Sequence, residues 1–213
     1  MTTDPTSGGA ARSVEIELKF DVDESTPLPD WSALPGVTAV DDGEVRDLDA
    51  TYLDTDAFAL AYAGFAVRRR TGGPDAGWHI KGPRGADGAR VELQWPLGDP
   101  GVVPEGVRAA IATVTDAQDF VPIARIRNTR TAYALRDAAG ALVAEFVDDH
   151  VTATDERNGV ERRWREWEFE LGPAAPASQE GRTALFTAAA DAVRAAGGRP
   201  AASASKLARA LGA

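Results

Sequence analysis

The sequence contains no cysteine, one methionine and two histidines in 213 residues. Without thiols there is no disulfide framework, no thiolate metal site and no cysteine nucleophile. The two histidines, His79 and His150, fall in unrelated stretches, where lone histidines are more often structural than catalytic. No run of eighteen apolar residues occurs, which leaves no helical membrane span. No Gly-rich segment is followed by the Gly-Lys-Ser/Thr of a phosphate-binding loop. Residues 1–10 have neither the basic nor the apolar part of a signal peptide, and residues 1–12 read as a disordered lead-in to a single domain over 13–213. The lack of cysteine is compatible with a cytoplasmic protein. A net charge of −10, from 33 acidic and 23 basic residues, argues against nucleic acid as a partner held by the whole surface.

What is present is a pair of charged ladders. In Ser13-Val-Glu-Ile-Glu-Leu-Lys-Phe20 the charges alternate with apolar residues. A strand there sets Glu15, Glu17 and Lys19 on one face, with Val14, Ile16, Leu18 and Phe20 on the other. Glu166-Trp-Glu-Phe-Glu-Leu171 repeats the pattern with three carboxylates. Carboxylates two apart on a strand stand roughly 7 Å apart, close enough to share or bracket divalent metal. The plain alternative for either ladder alone is the solvent face of an amphipathic strand.

Basic residues cluster as well. Arg68 and Arg70 share a face, Lys81 comes from the next predicted strand, and Arg90 and Glu92 share a face on the one after. Arg125, Arg127 and Arg130 lie on a later strand, where 127 and 130 point the same way only across a bulge. Arginine forks suit phosphate oxygens and carboxylates suit Mg²⁺ or Mn²⁺, so one metal-chelated oligophosphate accounts for both sets. Cross-strand salt bridges on a solvated sheet are the alternative, worth about 0.2–1 kcal/mol each.

The pattern along the chain predicts about eight strands: 13–22, 45–54, 65–70, 78–81, 89–95, 121–136, 141–154 and 160–171. A short helix over 56–62 is capped near Thr55 or Asp56, a second starts at Pro104, and amphipathic helices over 178–196 and 203–211 close the chain. Asp137–Gly140 and Asn158-Gly159 are hairpin turns. Residues between Pro27 and Gly36 form a loop with one helical turn around Trp31. Hairpin-length connections with helices at the interruptions give α+β, an antiparallel sheet or an eight-stranded barrel with room for one small ligand.

Glu15-Ile-Glu-Leu-Lys19 resembles the ExExK signature of the CYTH domains, the triphosphate tunnel metalloenzyme superfamily. Further segments resemble it in order: Tyr52-Leu-Asp54, Val-Arg68-Arg-Arg70, Trp78-His-Ile-Lys81, Arg90-Val-Glu92, Arg130, Asp148-Asp149, Glu168-Phe-Glu170 and Ser205-Lys206. The resemblance implies an eight-stranded antiparallel β-barrel, a triphosphate tunnel, with flanking and C-terminal helices. It implies metal ligands at Glu15, Glu17, Glu168 and Glu170, with Asp148 added and Asp149 its alternative by strand register. Phosphate ligands would be Lys19, Arg68, Arg70, Lys81, Arg130 and Lys206. Many relatives carry a lysine two residues before the Arg130 position; Asn128 stands there, so Arg125 or Arg127 is expected to substitute. The implied activity is metal-dependent triphosphate hydrolysis, with Glu15, Glu17, Lys19 and Glu170 catalytic and Mg²⁺ or Mn²⁺ as cofactor. The expected substrate is inorganic tripolyphosphate or thiamine triphosphate. An adenylyl cyclase of the same superfamily and a non-catalytic polyphosphate-binding module are the rivals. The expected partner is the small-molecule triphosphate, with no nucleic acid or membrane, and a homodimer left open.

Overall fold

The structure, a computed structural model, describes residues 9–85, 88–99, 101–115 and 120–212. Most of the expected lead-in, residues 1–8, lies outside them. In chain order the elements are β1 (Ala11–Glu15), β2 (Glu17–Val22), β3 (Ala39–Val40), β4 (Glu44–Asp54), α1 (Ala59–Tyr62), β5 (Ala66–Thr71), β6 (Gly77–Arg84) and β7 (Arg90–Trp95). Then follow α2 (Glu105–Ile111), β8 (Val121–Arg136), β9 (Leu142–Asp155), β10 (Val160–Leu171), α3 (Gln179–Ala196), β11 (Arg199–Pro200) and α4 (Lys206–Leu211). The class is α+β, and the pairs β1–β7, β7–β6, β6–β5, β5–β4, β3–β8, β10–β2 and β2–β11 are all antiparallel.

Among the described residues there are eleven strands. The sequence pattern predicts eight because the first ladder is divided at Ile16 into β1 and β2, while β3 and β11 are two-residue pairings too short to leave a pattern. The predicted helix over 56–62 is reduced to α1, and no helix forms around Trp31. That tryptophan instead packs edge-on to Phe146 at 4.8 Å and beside Phe169 at 5.6 Å.

The chain forms two compact units. The first comprises residues 1–15, 48–127 and 153–161; the second comprises 16–47, 128–152 and 162–213. In the first, the hydrogen-bonded order is β1-β7-β6-β5-β4. Its core is Leu60, Val67, Trp78, Ile80, Trp95, Val107 and Ile111. Alternation sends Val67 and Ile80 into this core, and the same alternation turns Arg68 and Lys81 the opposite way. Gly77 has a positional reason: a Cβ there would run into the Trp95 carbonyl of the neighbouring strand.

In the second unit the order is β8-β9-β10-β2-β11, with β3 beside β8. Phe20, Val22, Phe146, Trp167 and Phe169 pack against Leu185, Ala189 and Val193 of α3. Helix α3 is capped by Ser178, whose hydroxyl accepts from Gly181 N at 3.1 Å, and it ends on Gly197 at φ +103, a left-handed cap that favours glycine. No described helix is long and apolar enough to cross a membrane.

Helix α1 depends on one buried carboxylate. Asp54, 1 % exposed, accepts hydrogen bonds from Thr55 N at 2.7 Å, Leu60 N at 2.9 Å and Ala61 N at 2.9 Å. Thr55 Oγ1 accepts Ala59 N at 3.0 Å with Asp54 beside it, but the residue that caps α1 is Phe58 at φ +57, so the cap expected near Thr55 or Asp56 falls two or three residues later. Asp54→Ala leaves three inward N–H groups without their acceptor and is expected to cost about 2–4 kcal/mol in a urea titration. A loss below about 0.5 kcal/mol would show that α1 does not hang on this carboxylate.

Candidate functional site

In the first unit, Glu15, Arg68, Lys81 and Glu92 form one charged cluster. Register explains it: Glu15 lies opposite Arg90, and Lys81 opposite Glu92, so adjacent strands β1, β7 and β6 bring these side chains to one face. Lys81 Nζ donates to Glu15 Oε2 at 2.5 Å and lies 3.6 Å from Glu92 Oε2. Arg68 donates to Glu92 Oε1 at 3.3 Å and to the Tyr52 hydroxyl at 3.3 Å. His79, 2 % exposed, contacts Glu92 Oε1 through Nδ1 at 2.6 Å and the Asp75 carbonyl through Nε2 at 2.9 Å. Arg70 pairs with Asp75 of the β5–β6 turn.

Two carboxyls in this cluster diverge. Burial, then a hydrogen bond with Glu92, push Glu15 up to about 8, against the pull of Lys81. Burial works against Glu92 too. Its bonds with His79 and Glu15 and the charges of Lys81 and Arg68 outweigh burial and hold it far below the carboxylate range. Glu15 is thus the protonated member of the pair near neutral pH. Burial lowers the His79 pKa, with Glu92 opposing.

In the second unit, β2 and β10 set Glu17 opposite Glu170 and Lys19 opposite Glu168. Lys19 Nζ bonds Glu17 Oε2 at 3.0 Å and also Glu168 Oε1. Lys206, at the start of α4, lies 2.9 Å from Asp149, 2.5 Å from Glu166 and 2.8 Å from Glu168. Ser205 positions it by capping α4, its hydroxyl accepting Ala208 N at 3.1 Å. Arg130 grips Asp149 with two bonds, 2.8 and 2.7 Å, and Glu168 with a third at 2.8 Å. Carboxylate oxygens of Asp149, Glu166 and Glu168 all lie within 4.8 Å of one another.

Burial opposes ionisation throughout this cluster, and the partners win. Glu168 is held well below its ordinary value by Lys19, Lys206 and Arg130. Asp149 is lowered to about 2 by Arg130 and Lys206. Lys19 and Lys206 are held above theirs by the facing carboxylates. Carboxylate oxygens at this spacing could hold a metal ion, and Lys206 already places a cation against all three.

Three expectations on single residues need correction. Asp148 is not in the cluster: Arg165 donates to both its oxygens at 2.8 and 2.9 Å and Trp167 Nε1 donates at 3.0 Å, on the core side of β9. Its neighbour Asp149 takes the inward position, because one step along a strand reverses the face. Arg125 and Arg127 alternate outward with Thr129, and their side chains are 51 % and 53 % exposed. Arg125 forks onto Asp49 at 3.0 and 2.6 Å, and Arg127 lies 3.7 Å from Glu161. Neither stands in for the missing lysine; Asn128 itself is buried on the side that Arg130 takes. Arg90 bonds the Gly82 carbonyl at 2.6 Å, beside the register shift between Lys81 and Arg84. Glu92, Glu166 and Asp149 stand in the two charged clusters beside the expected residues; strand parity was the signal available for them.

Comparison with known proteins follows this geometry. Residues 13–185 match the CYTH domain. The chain belongs to the CYTH domain family. Two uncharacterized proteins from two strains of Mycobacterium tuberculosis are 39 % identical over 214 residues, covering 95 % of this chain and 41 % of theirs. The chain therefore spans about two-fifths of the length of these relatives. A Bacillus halodurans structure described as a proposed adenylate cyclase superposes with a TM-score of 0.62 at 19 % identity, covering 93 % of this chain and 97 % of that one. A Hippeastrum structure, described as a proposed adenylyl cyclase with a dominant triphosphatase activity, gives 0.56 at 19 % identity, covering 93 % and 95 %. At such identities these two show a shared CYTH fold.

The raised Glu15 carboxyl sets a pH dependence in metal-free protein. A group whose folded pKa is raised favours folding below its unfolded value, about 4.5, and loses that contribution as pH rises through about 8. Glu92, Glu168 and Asp149, all lowered, change their contribution only at more acid pH. The lowered His79 works the other way, adding stability as pH rises toward 6.5, so in EDTA the wild-type melting temperature is expected to fall relative to that of Glu15→Gln between about pH 5 and about pH 9. An equal slope in the variant would remove Glu15 as its source.

Proposed function

We propose that this CYTH protein is a metal-dependent triphosphatase, with inorganic tripolyphosphate as its first substrate and thiamine triphosphate next. The observation that carries the reading is the carboxylate cluster of the second unit: oxygens of Asp149, Glu166 and Glu168 lie within 4.8 Å of one another, with Lys206 against all three. A divalent cation can span that spacing.

In this reading Asp149, Glu166, Glu168, Glu17 and Glu170 hold Mg²⁺ or Mn²⁺. When bound, the ion supplies neutralisation of the charge that develops on the phosphate oxygens. Lys19, Arg130 and Lys206, freed from their carboxylates, bind phosphate oxygens, as do Arg68, Arg70 and Lys81 in the first unit. Glu170, opposite Glu17 on the adjacent strand, orients the attacking water toward the terminal phosphorus. The missing cysteine fits a cytoplasmic setting.

The second reading is an adenylyl cyclase, favoured by the description of the Bacillus halodurans neighbour, whereas the Hippeastrum neighbour's dominant triphosphatase activity sides with the first. It shares the phosphate grip and directs the ribose 3′-hydroxyl at the α-phosphorus.

Phosphate release from tripolyphosphate, thiamine triphosphate, ATP and pyrophosphate, with Mg²⁺, Mn²⁺ or EDTA, separates the readings. Metal-dependent release from a triphosphate, with little from pyrophosphate, is expected; cyclic AMP and pyrophosphate formed from ATP would favour the cyclase. Glu168→Gln is expected to lower turnover about 10–100-fold through lost metal affinity. Asp148→Asn is expected to lower stability while turnover stays within about twofold, since its carboxylate serves Arg165 and Trp167. Turnover unaffected by Glu168→Gln would overturn the ligand assignment.

A further inference from the structure

Arg70 is 6 % exposed and lies mid-strand on β5, paired to β4 through Ala50 and to β6 through Gly77. A guanidinium so placed needs an anion, because an uncompensated buried charge is costly. Asp75 of the turn between β5 and β6 provides one, its side chain 48 % exposed. The Asp75 main chain is pinned on the other side: its carbonyl accepts Gln94 Nε2 at 3.1 Å and contacts His79 Nε2 at 2.9 Å. The carboxylate can therefore swing outward about its own Cα–Cβ bond while the turn and Arg70 stay in place.

We propose that Asp75 is a specificity-determining residue, an internal anion that competes with phosphate for Arg70. The inference rests on the reading of Arg70 as a phosphate ligand in a triphosphate site. Asp75 is tethered five residues from Arg70, so it competes at a high effective concentration, and a free monophosphate has to beat it unaided. A triphosphate already held by Arg68 and Lys81 presents its next phosphoryl group intramolecularly and competes on equal terms. Asp75 thus admits phosphate chains to Arg70 and rejects single phosphates, a form of discrimination by an opposing group rather than by an added contact. His79 and Gln94, by fixing the carbonyl, keep the competitor within reach.

The test is Asp75→Asn, which keeps the shape and the carbonyl anchor and removes the charge. KM for tripolyphosphate is expected to fall roughly two- to fivefold, the scale of a partly exposed ion pair. Inhibition by inorganic phosphate is expected to strengthen by at least as large a factor, which narrows the selectivity between chain and monophosphate. The metal-free melting temperature should drop, because Arg70 loses its counter-charge, and the rise caused by tripolyphosphate should grow. A KM that stays the same or rises, with phosphate inhibition unchanged, would mean that Asp75 positions Arg70 and does not compete for it. Wild-type protein that neither hydrolyses tripolyphosphate nor melts later in its presence would instead refute the proposed function. The Asp75→Ala variant, read by the same melting shifts, guards against an Asn side chain that mimics the original bond.

Discussion

The constraint on which the structure depends is mutual neutralisation of buried charge. Arg130, Lys206, Lys19 and Glu168 are all sheltered from solvent, and none of them is tolerable there alone. Each cation is held by carboxylates that are themselves kept ionised by cations, so the ligand-free cluster is a closed set of exchanges. Ligand binding to such a set replaces partners and does not merely add contacts. Phosphate can take the bases only as far as another cation takes the acids. On the proposed reading, metal and phosphate binding are therefore coupled through these shared partners, and each strengthens the other reciprocally.

The apolar faces make this arrangement possible. Phe20, Trp167 and Phe169 leave β2 and β10 on the side opposite to the ladders and pack against α3. Two charged strands side by side would otherwise gain nothing from association, and Glu17 opposite Glu170 would oppose it. The sheet is bought by its hydrophobic side, and the charged side is left available for chemistry.

Much of this was legible because a strand has a period of two. The ladders, the two closing helices and the separation of Lys81 from the core all follow from alternation and helical periodicity, although the last helix begins at Lys206 and not at the expected Ser203. The same period produces the errors. Asp148 and Asp149 are adjacent, and which one faces Arg130 depends on a register that the sequence does not print; Arg165 and Trp167, one strand away, settle it by claiming Asp148. Arg125 and Arg127 share the parity of Thr129, which bonds Asp47 at 2.9 Å on the exposed side, so residue type pointed inward while position pointed outward. The break at Ile16 leaves no trace in the pattern, since Glu15 and Glu17 keep the same parity on either side of it. Asp75 was invisible for another reason: a turn aspartate reads as turn chemistry, and only the fold brings it to Arg70.

The two units reach their ligand-free state with opposite deficits. In the first, Arg68, Arg70 and Lys81 face Glu92 and Asp75 while Glu15 retains its proton, so the cluster is short of negative charge. In the second, oxygens of Asp149, Glu166 and Glu168 converge on Lys206, so three carboxylates crowd one ammonium there. On the proposed reading, a polyanion answers the first cluster and a divalent cation the second, so charge sorts the ligands before any contact with the organic part of a substrate is considered.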